Sequence, residues 1–131
     1  MEVIRQIKEI KNIDTLLDTA WSQLVKLLGN NKCAYCNSEQ DLHSHHIHTR
    51  KNKSTRWDTD NGICLCEDHH VYNTFFSAHK TPQKFMEWMR NYKGKEFTDR
   101  LCCRANSTVK RFNFEKQELL EDLQNQIKEF K

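Results

Sequence analysis

Between Cys33 and His70 the chain gathers a Cys33-x-x-Cys36 pair, the run His43-Ser-His45-His46-Ile47-His48, an Asn61 and a Cys66-x-x-His69 pair followed at once by His70. A stretch this rich in thiols and imidazoles has few aliphatic residues to bury, so an apolar core cannot organise it alone. A two-residue gap lets neighbouring thiolate or imidazole ligands converge on one ion from a tight turn, and the two half-knuckles together suit one tetrahedral Zn²⁺. Binding of that kind is worth roughly 10 to 16 kcal/mol of folding free energy in zinc peptides, which compensates for a modest core.

The spacing assigns Cys33, Cys36, Cys66 and His69 to the structural zinc. A competing set exchanges His69 for Cys64, and it ranks lower because Cys64-x-Cys66 falls in a stretch read as strand, where a one-residue gap chelates less naturally. Cys64 then becomes a small buried hydrophobe, as do Cys102 and Cys103, which have no partner motif. Six cysteines could form three disulfides, but four of them stand in short-spaced pairs beside histidines, a pattern of metal binding and reducing compartments. His45, His46, Asn61 and His70 are left over, and a purely structural finger has no use for them.

The net charge of +3 says little about partners, but its distribution says more. No Asp or Glu occurs from His43 to Arg56, while Arg50, Lys51, Lys53 and Arg56 follow the histidines directly. A basic strip beside a metal site suits a phosphodiester, and these four residues are candidate DNA contacts. Trp57 is expected to pack under the loop, and Asp58 and Asp60 to shape the turn. No apolar run approaches the length of a membrane span and the N-terminus lacks a signal-peptide core, so a cytoplasmic location is expected, in a host cell if the chain is phage-encoded.

The expected fold class is α+β, with 1–131 as one domain: an N-terminal helical segment 1–30, a zinc-framed ββα core 31–80 and C-terminal helices 81–131. Ile10, Ile13, Leu17, Trp21, Leu24 and Leu28 make one helical stripe over residues 2–28, with Asp14 as a candidate internal cap and Gly29-Asn30-Asn31 as the stop. Leu42 to Thr49 reads as a strand, Arg50 to Arg56 as a loop, Ile63 to Cys66 as a second strand, and a helix follows near Cys66. Thr81-Pro82 starts a helix with Phe85, Met86 and Met89 on its buried face. Lys95 to Ala105 and Phe114 to Phe130 follow as helices. Leu120, Leu123, Ile127 and Phe130 form a seam for the first helix or for a second subunit, so a homodimer is open.

His45-His46-Ile47, Asn61 and His70 stand in an order that resembles the HNH, or ββα-metal, endonuclease motif, here in its zinc-framed branch. The resemblance implies that His45 is a metal ligand, His46 the general base, Asn61 a brace for the connecting loop and His70 a second metal ligand. Leu17-Asp18-x-x-Trp21-Ser22, Arg50, Ser54-x-Arg56-Trp57-Asp58, Asn61-Gly62 and His79-x-x-Pro82-x-x-Phe85 extend the likeness to phage NinG-type (Rap-like) recombination endonucleases over roughly residues 15 to 90. Such proteins act on branched or single-stranded recombination intermediates. Members usually carry Cys where His69 stands, and many place a further His where this chain has Thr74; His79, after an insertion of 71–78, or Asn73 is then left to complete the metal site.

Phosphodiester cleavage needs a deprotonated water, a cation against the charge gathering on phosphate and help for the departing 3′ oxygen. A histidine titrates in the right range to be the base. A site of mostly imidazoles accepts Mn²⁺, Co²⁺, Ni²⁺ or Zn²⁺ as well as Mg²⁺. Adjacent strand residues point to opposite faces, so His45 and His46 can share one site only at a strand end or bulge. His43 and His48 are left as supporting or solvent-exposed residues. Two rivals remain: a non-catalytic zinc module that binds DNA or protein, and a homing or defence nuclease.

Overall fold

The apolar stripe of the N-terminal third closes into one 27-residue helix, α1 (Glu2–Leu28), with no break at Asp14. The computed structural model describes residues 2–130, with side chains from residue 12 onward. Ile13, Leu17, Trp21 and Leu24 are buried as their spacing requires, joined by Ala20 and Val25. Leu28, expected on the same stripe, is 52% exposed because the helix ends there, and the Ile10 side chain lies outside the described residues. Asn30 and Asn31 then take φ of 57° and 54°, a left-handed conformation that asparagine tolerates better than most residues.

The chain next turns through Cys33 to Asn37, where the Asn37 amide donates to the Cys33 carbonyl at 2.8 Å. β1 (Leu42–His46) and β2 (Gly62–Cys66) pair antiparallel, with Leu42 opposite Cys66 and His46 opposite Gly62. β1 stops at His46 and does not run on to Thr49; Ile47 N–H makes one further bond, to the Asn61 carbonyl at 2.8 Å. A short turn, Thr59–Asn61, leads into β2, and its second amide is capped by Asp58, whose carboxylate accepts from Asp60 N–H at 2.9 Å.

The helix expected after β2 is one wide turn, Asp68–Tyr72, closed by an i→i+5 bond from Asn73 N–H to the Asp68 carbonyl at 2.8 Å. Asn73 ends it: its side-chain oxygen accepts from the Phe75 and Phe76 amides, which turns the chain back. Ala78 N–H then donates to the His69 carbonyl and His79 N–H to the His70 carbonyl, each at 3.0 Å.

Three helices follow: α2 (Pro82–Lys93), α3 (Lys95–Ala105) and α4 (Asn113–Lys128). Phe85 and Met89 are the buried face of α2, while Met86, expected with them, sits one step round the helix and is exposed. α4 lays Leu120, Leu123 and Ile127 on α1, so the C-terminal seam is closed within the chain, and Phe130 stays about half exposed. No described helix is long and apolar enough to cross a membrane.

Two small cores result. One joins α1 and α4 around Trp57; the other joins the Cys33 turn, β2 and α2 through Ile63, Leu65, Phe76, Phe85 and Met89. Gly62 brings α1 onto the sheet, since a Cβ there would lie 2.4 Å from Val25 Cγ2 and 2.7 Å from Trp21 Cζ2. The architecture is α+β: a two-stranded antiparallel sheet flanked by helices, with a Cys₃His cluster at its knuckle.

Candidate metal centres and catalytic site

Two ligand clusters form, and they are separate. The ligand atoms of Cys33, Cys36, Cys66 and His69 all lie within 4.8 Å of one another. Cys36 and Cys66 sulfurs are 3.8 Å apart, and Cys66 Sγ is 3.2 Å from His69 Nδ1. Two thiolates bound tetrahedrally at ~2.3 Å from one zinc stand about 3.8 Å apart, so the donor set and its spacing fit Zn²⁺. Burial works to raise the Cys33 pKa, but backbone hydrogen bonds from Cys66, Cys36 and Tyr35 outweigh it and leave the thiol lowered. Cys66 is pushed up to about 11, first by burial and then by the neighbouring sulfurs, a conflict that a cation in the cluster relieves.

Cys64 stands apart from this cluster. It is two residues from Cys66 along β2, so alternation puts both on the same side of the strand, but its Cβ packs on Gly29 and its sulfur is not among the clustered ligand atoms. Its burial matches the expected packing role, whereas Cys102 and Cys103, expected to be buried too, are both exposed on α3.

The second cluster is His45, His70 and His79, with ring nitrogens again within 4.8 Å of one another. β1 supplies His45, the wide turn supplies His70, and the two bonds that fold residues 78 and 79 back along 69 and 70 supply His79. Asn73, the alternative third ligand, has its amide engaged by Asp68, Phe75 and Phe76. Burial, then the charges of His70 and His79, lowers the His45 pKa to about 3. Burial, then His79 and His43, lowers His70 to about 4. His45 and His70 are thereby held neutral at neutral pH, and with the His79 ring beside them they could hold a divalent cation.

His46 turns to the opposite face of β1. Its ring stacks on Trp21, 3.8 Å between centroids and 8° from parallel, and its Nε2 lies 2.9 Å from the Arg56 carbonyl. A carbonyl only accepts, so Nε2 carries the proton and Nδ1 keeps the lone pair. Burial lowers the His46 pKa against the opposing pull of the Arg56 carbonyl and Asp18, which favours the neutral form.

Asn61 is fully buried and spans the two ends of the basic loop. Its oxygen accepts from His48 N–H at 2.7 Å, and its amide donates to the carbonyls of His48 at 2.9 Å and Thr55 at 3.1 Å. Arg56 does not face outward with the other bases of the loop: its guanidinium forks onto Asp18 at 3.0 and 2.7 Å. Trp57, buried, donates to the same carboxylate at 2.8 Å. Arg50, Lys51 and Lys53 remain exposed. Asp58 and Asp60 are held by Arg104, both at 3.0 Å, in keeping with a structural role in the turn.

Three contacts escaped the sequence. Trp21 and Asp18 belonged to the extended likeness, but no spacing paired Trp21 with His46 or Asp18 with the loop. His43 places Nδ1 2.9 Å from His70 Nδ1, and the i, i+2 spacing of His43 and His45 on one strand was the signal for it. His48 contributes its backbone to Asn61, while its ring makes no hydrogen bond among the described residues.

A two-stranded hairpin closed by a short helical turn, with an imidazole cluster on one side and a Cys₃His knuckle at its root, defines a ββα unit with two side-chain clusters that could hold metal ions. The sequence model of the HNH endonuclease family matches residues 13–72, so that stretch is similar to an HNH endonuclease domain. His79 and helices α2 to α4 lie beyond the match. No curated protein and no solved structure matches the chain significantly.

Proposed function

We propose that the protein is a metal-dependent endonuclease that hydrolyses DNA phosphodiester bonds, with branched or partly single-stranded recombination intermediates, or nicking of duplex, as its task. The observation that carries this reading is the division of labour across the end of β1: His45 joins His70 and His79 on one face, while His46, with Nδ1 free, lies on the other. In-line displacement puts the attacking water and the leaving oxygen on opposite sides of phosphorus, so a base and a cation site on opposite faces of one strand end suit it.

A divalent ion held by His45, His70 and His79 would supply positive charge to the phosphate and the leaving 3′ oxygen. His46 Nδ1 takes the proton of the attacking water, and the Arg56 carbonyl keeps the ring in the tautomer that can do so. Trp21 holds the ring plane. Asn61 fixes both ends of the loop that presents Arg50, Lys51 and Lys53 to flanking phosphates. Cys33, Cys36, Cys66 and His69 would hold a structural zinc that ties the knuckle to β2. The products carry 5′-phosphate and 3′-hydroxyl ends.

The experiment is cleavage of supercoiled plasmid, single strands and a four-way junction with Mg²⁺ or Mn²⁺, by wild type and His46→Ala. Loss of cutting in the variant supports the reading; equal behaviour of the two proteins on every substrate overturns it. Metal counting separates the non-catalytic alternative, which needs the zinc and no second ion.

A further inference from the structure

Residues 100–114 contain no Asp or Glu, and the segment between α3 and α4 carries Lys110, Arg111, Phe112 and, at the start of α4, Phe114. Arg111 anchors this segment to the basic loop by donating to the Lys53 carbonyl at 2.8 Å, and its guanidinium lies 5.8 Å from the Trp57 ring centre. A cleft of about 280 Å³ opens there, lined among others by Lys53, Trp57, Lys110, Arg111 and Lys116. Lys116 is paired with Asp14, while Lys53 and Lys110 are exposed and make no ion pair among the described residues. Next to these cations Phe112 and Phe114 are 58% and 64% exposed, their rings 4° from parallel with centroids 6.1 Å apart.

Folding does not explain that pair. The seam of α4 that packs on α1 uses Leu120, Leu123 and Ile127, and both phenylalanines lie off it in solvent. Two parallel exposed rings beside unpaired lysines present flat apolar faces next to positive charge, the combination that unpaired nucleotides recognise through base stacking and phosphate contact. Duplex DNA keeps its base faces covered and can use only the charge. The loop carrying Lys53 is also the loop whose Arg56 carbonyl holds His46, so a strand lying on this surface leads toward the cleavage site.

We propose that Phe112 and Phe114, with Lys53 and Lys110, form a docking surface for single-stranded DNA adjoining the duplex to be cut. This rests on the nuclease reading of the site and specifies its substrate: DNA with an unpaired arm. The surface selects the fork by stacking, and the lysines add affinity that falls with salt.

The test measures binding of the full chain to a blunt duplex and to the same duplex bearing a single-stranded tail, without added divalent ion. The double variant Phe112→Ala/Phe114→Ala should lose about 10-fold or more in affinity for the tailed DNA, and no more than about twofold for the blunt duplex. Phe112→Tyr/Phe114→Tyr should restore the tail preference. Equal loss on both DNAs, no loss on either, or failure of tyrosine to restore overturns the proposal. So does sedimentation showing a wild-type dimer that the alanine variant dissolves, which would assign the rings to self-association. Plasmid cutting without tail selectivity overturns this surface alone; tail selectivity without cutting of any DNA upholds it and overturns the nuclease reading.

Discussion

The imidazole of His46 lies flat on the indole of Trp21, 3.8 Å between ring centroids, and the Trp21 N–H in turn donates to the Asp58 carbonyl at 2.8 Å. The contact ties a helix that precedes the knuckle to the residue proposed as the base. The ring orientation of His46 therefore depends on α1 and the turn after the basic loop as well as on β1.

Trp21→Phe should keep most activity, because a smaller ring can still stack; Trp21→Leu should lower kcat about 10-fold or more with KM nearly unchanged. Stacked aromatic pairs contribute about 0.5 to 1.5 kcal/mol beyond area burial, and an unrestrained base costs additional orientation. Steady-state kinetics well below the unfolding temperature provide the check. A parallel rise in KM with no change in kcat would speak against a positioning role.

Removing the loop brace should be severe. Asn61→Ala leaves the His48 amide and the His48 and Thr55 carbonyls without their partner, at about 1 to 3 kcal/mol for each group left buried and unsatisfied. Hydrogen exchange should accelerate over residues 48–56 before it does in α1. Unchanged protection across that loop would show that Asn61 does not brace it.

Zinc content should follow the knuckle. Cys36→Ser and His69→Ala should lower the bound zinc and the melting temperature, whereas Cys64→Ala should keep one zinc per chain and lose only packing, about 1 kcal/mol. Elemental analysis beside thermal melts measures both. A variant at Cys64 that releases the metal would reassign the fourth ligand.

Stability should fall in acid below neutral. His45 and His70 have pKa values lowered to about 3 and about 4, against 6.5 when unperturbed. Between roughly pH 4 and 6.5 the unfolded chain binds protons that the folded cluster refuses, so unfolding free energy rises with pH through this window and levels off above it. A bound cation steepens the loss, because it needs the same nitrogens unprotonated. Denaturant midpoints from pH 4.5 to 7.5 should show the slope, and His45→Gln should flatten it; a flat wild-type curve would contradict the lowered pKa values of His45 and His70.

The arginine and the lysines of the basic loop should separate. Arg56→Ala breaks the fork on Asp18 and should lower stability by roughly 1 to 3 kcal/mol. Lys51→Ala and Lys53→Ala should leave melting unchanged and each reduce the salt slope of DNA binding by about 1. Salt titrations of binding measure that slope, and an unaltered slope in both lysine variants would remove them from the DNA contact.

Local chemistry made much of the protein readable from the sequence. Two-residue gaps marked the Cys33, Cys36, Cys66 and His69 cluster, the 3.6-residue stripe marked α1, and Thr81-Pro82 and Gly94 bounded α2, because each signal depends on residues close in the chain. Strand alternation already warned that His45 and His46 diverge. The tertiary structure decided what depends on chain return. It brought His79 to His70 through two backbone bonds across an eight-residue excursion at 71–78, occupied Asn73 with the turn, set Trp21 beneath His46 and drew Arg56 onto Asp18. Such pairings are set by how separated segments pack, and packing follows from the whole set of burials and hydrogen bonds that no single spacing encodes.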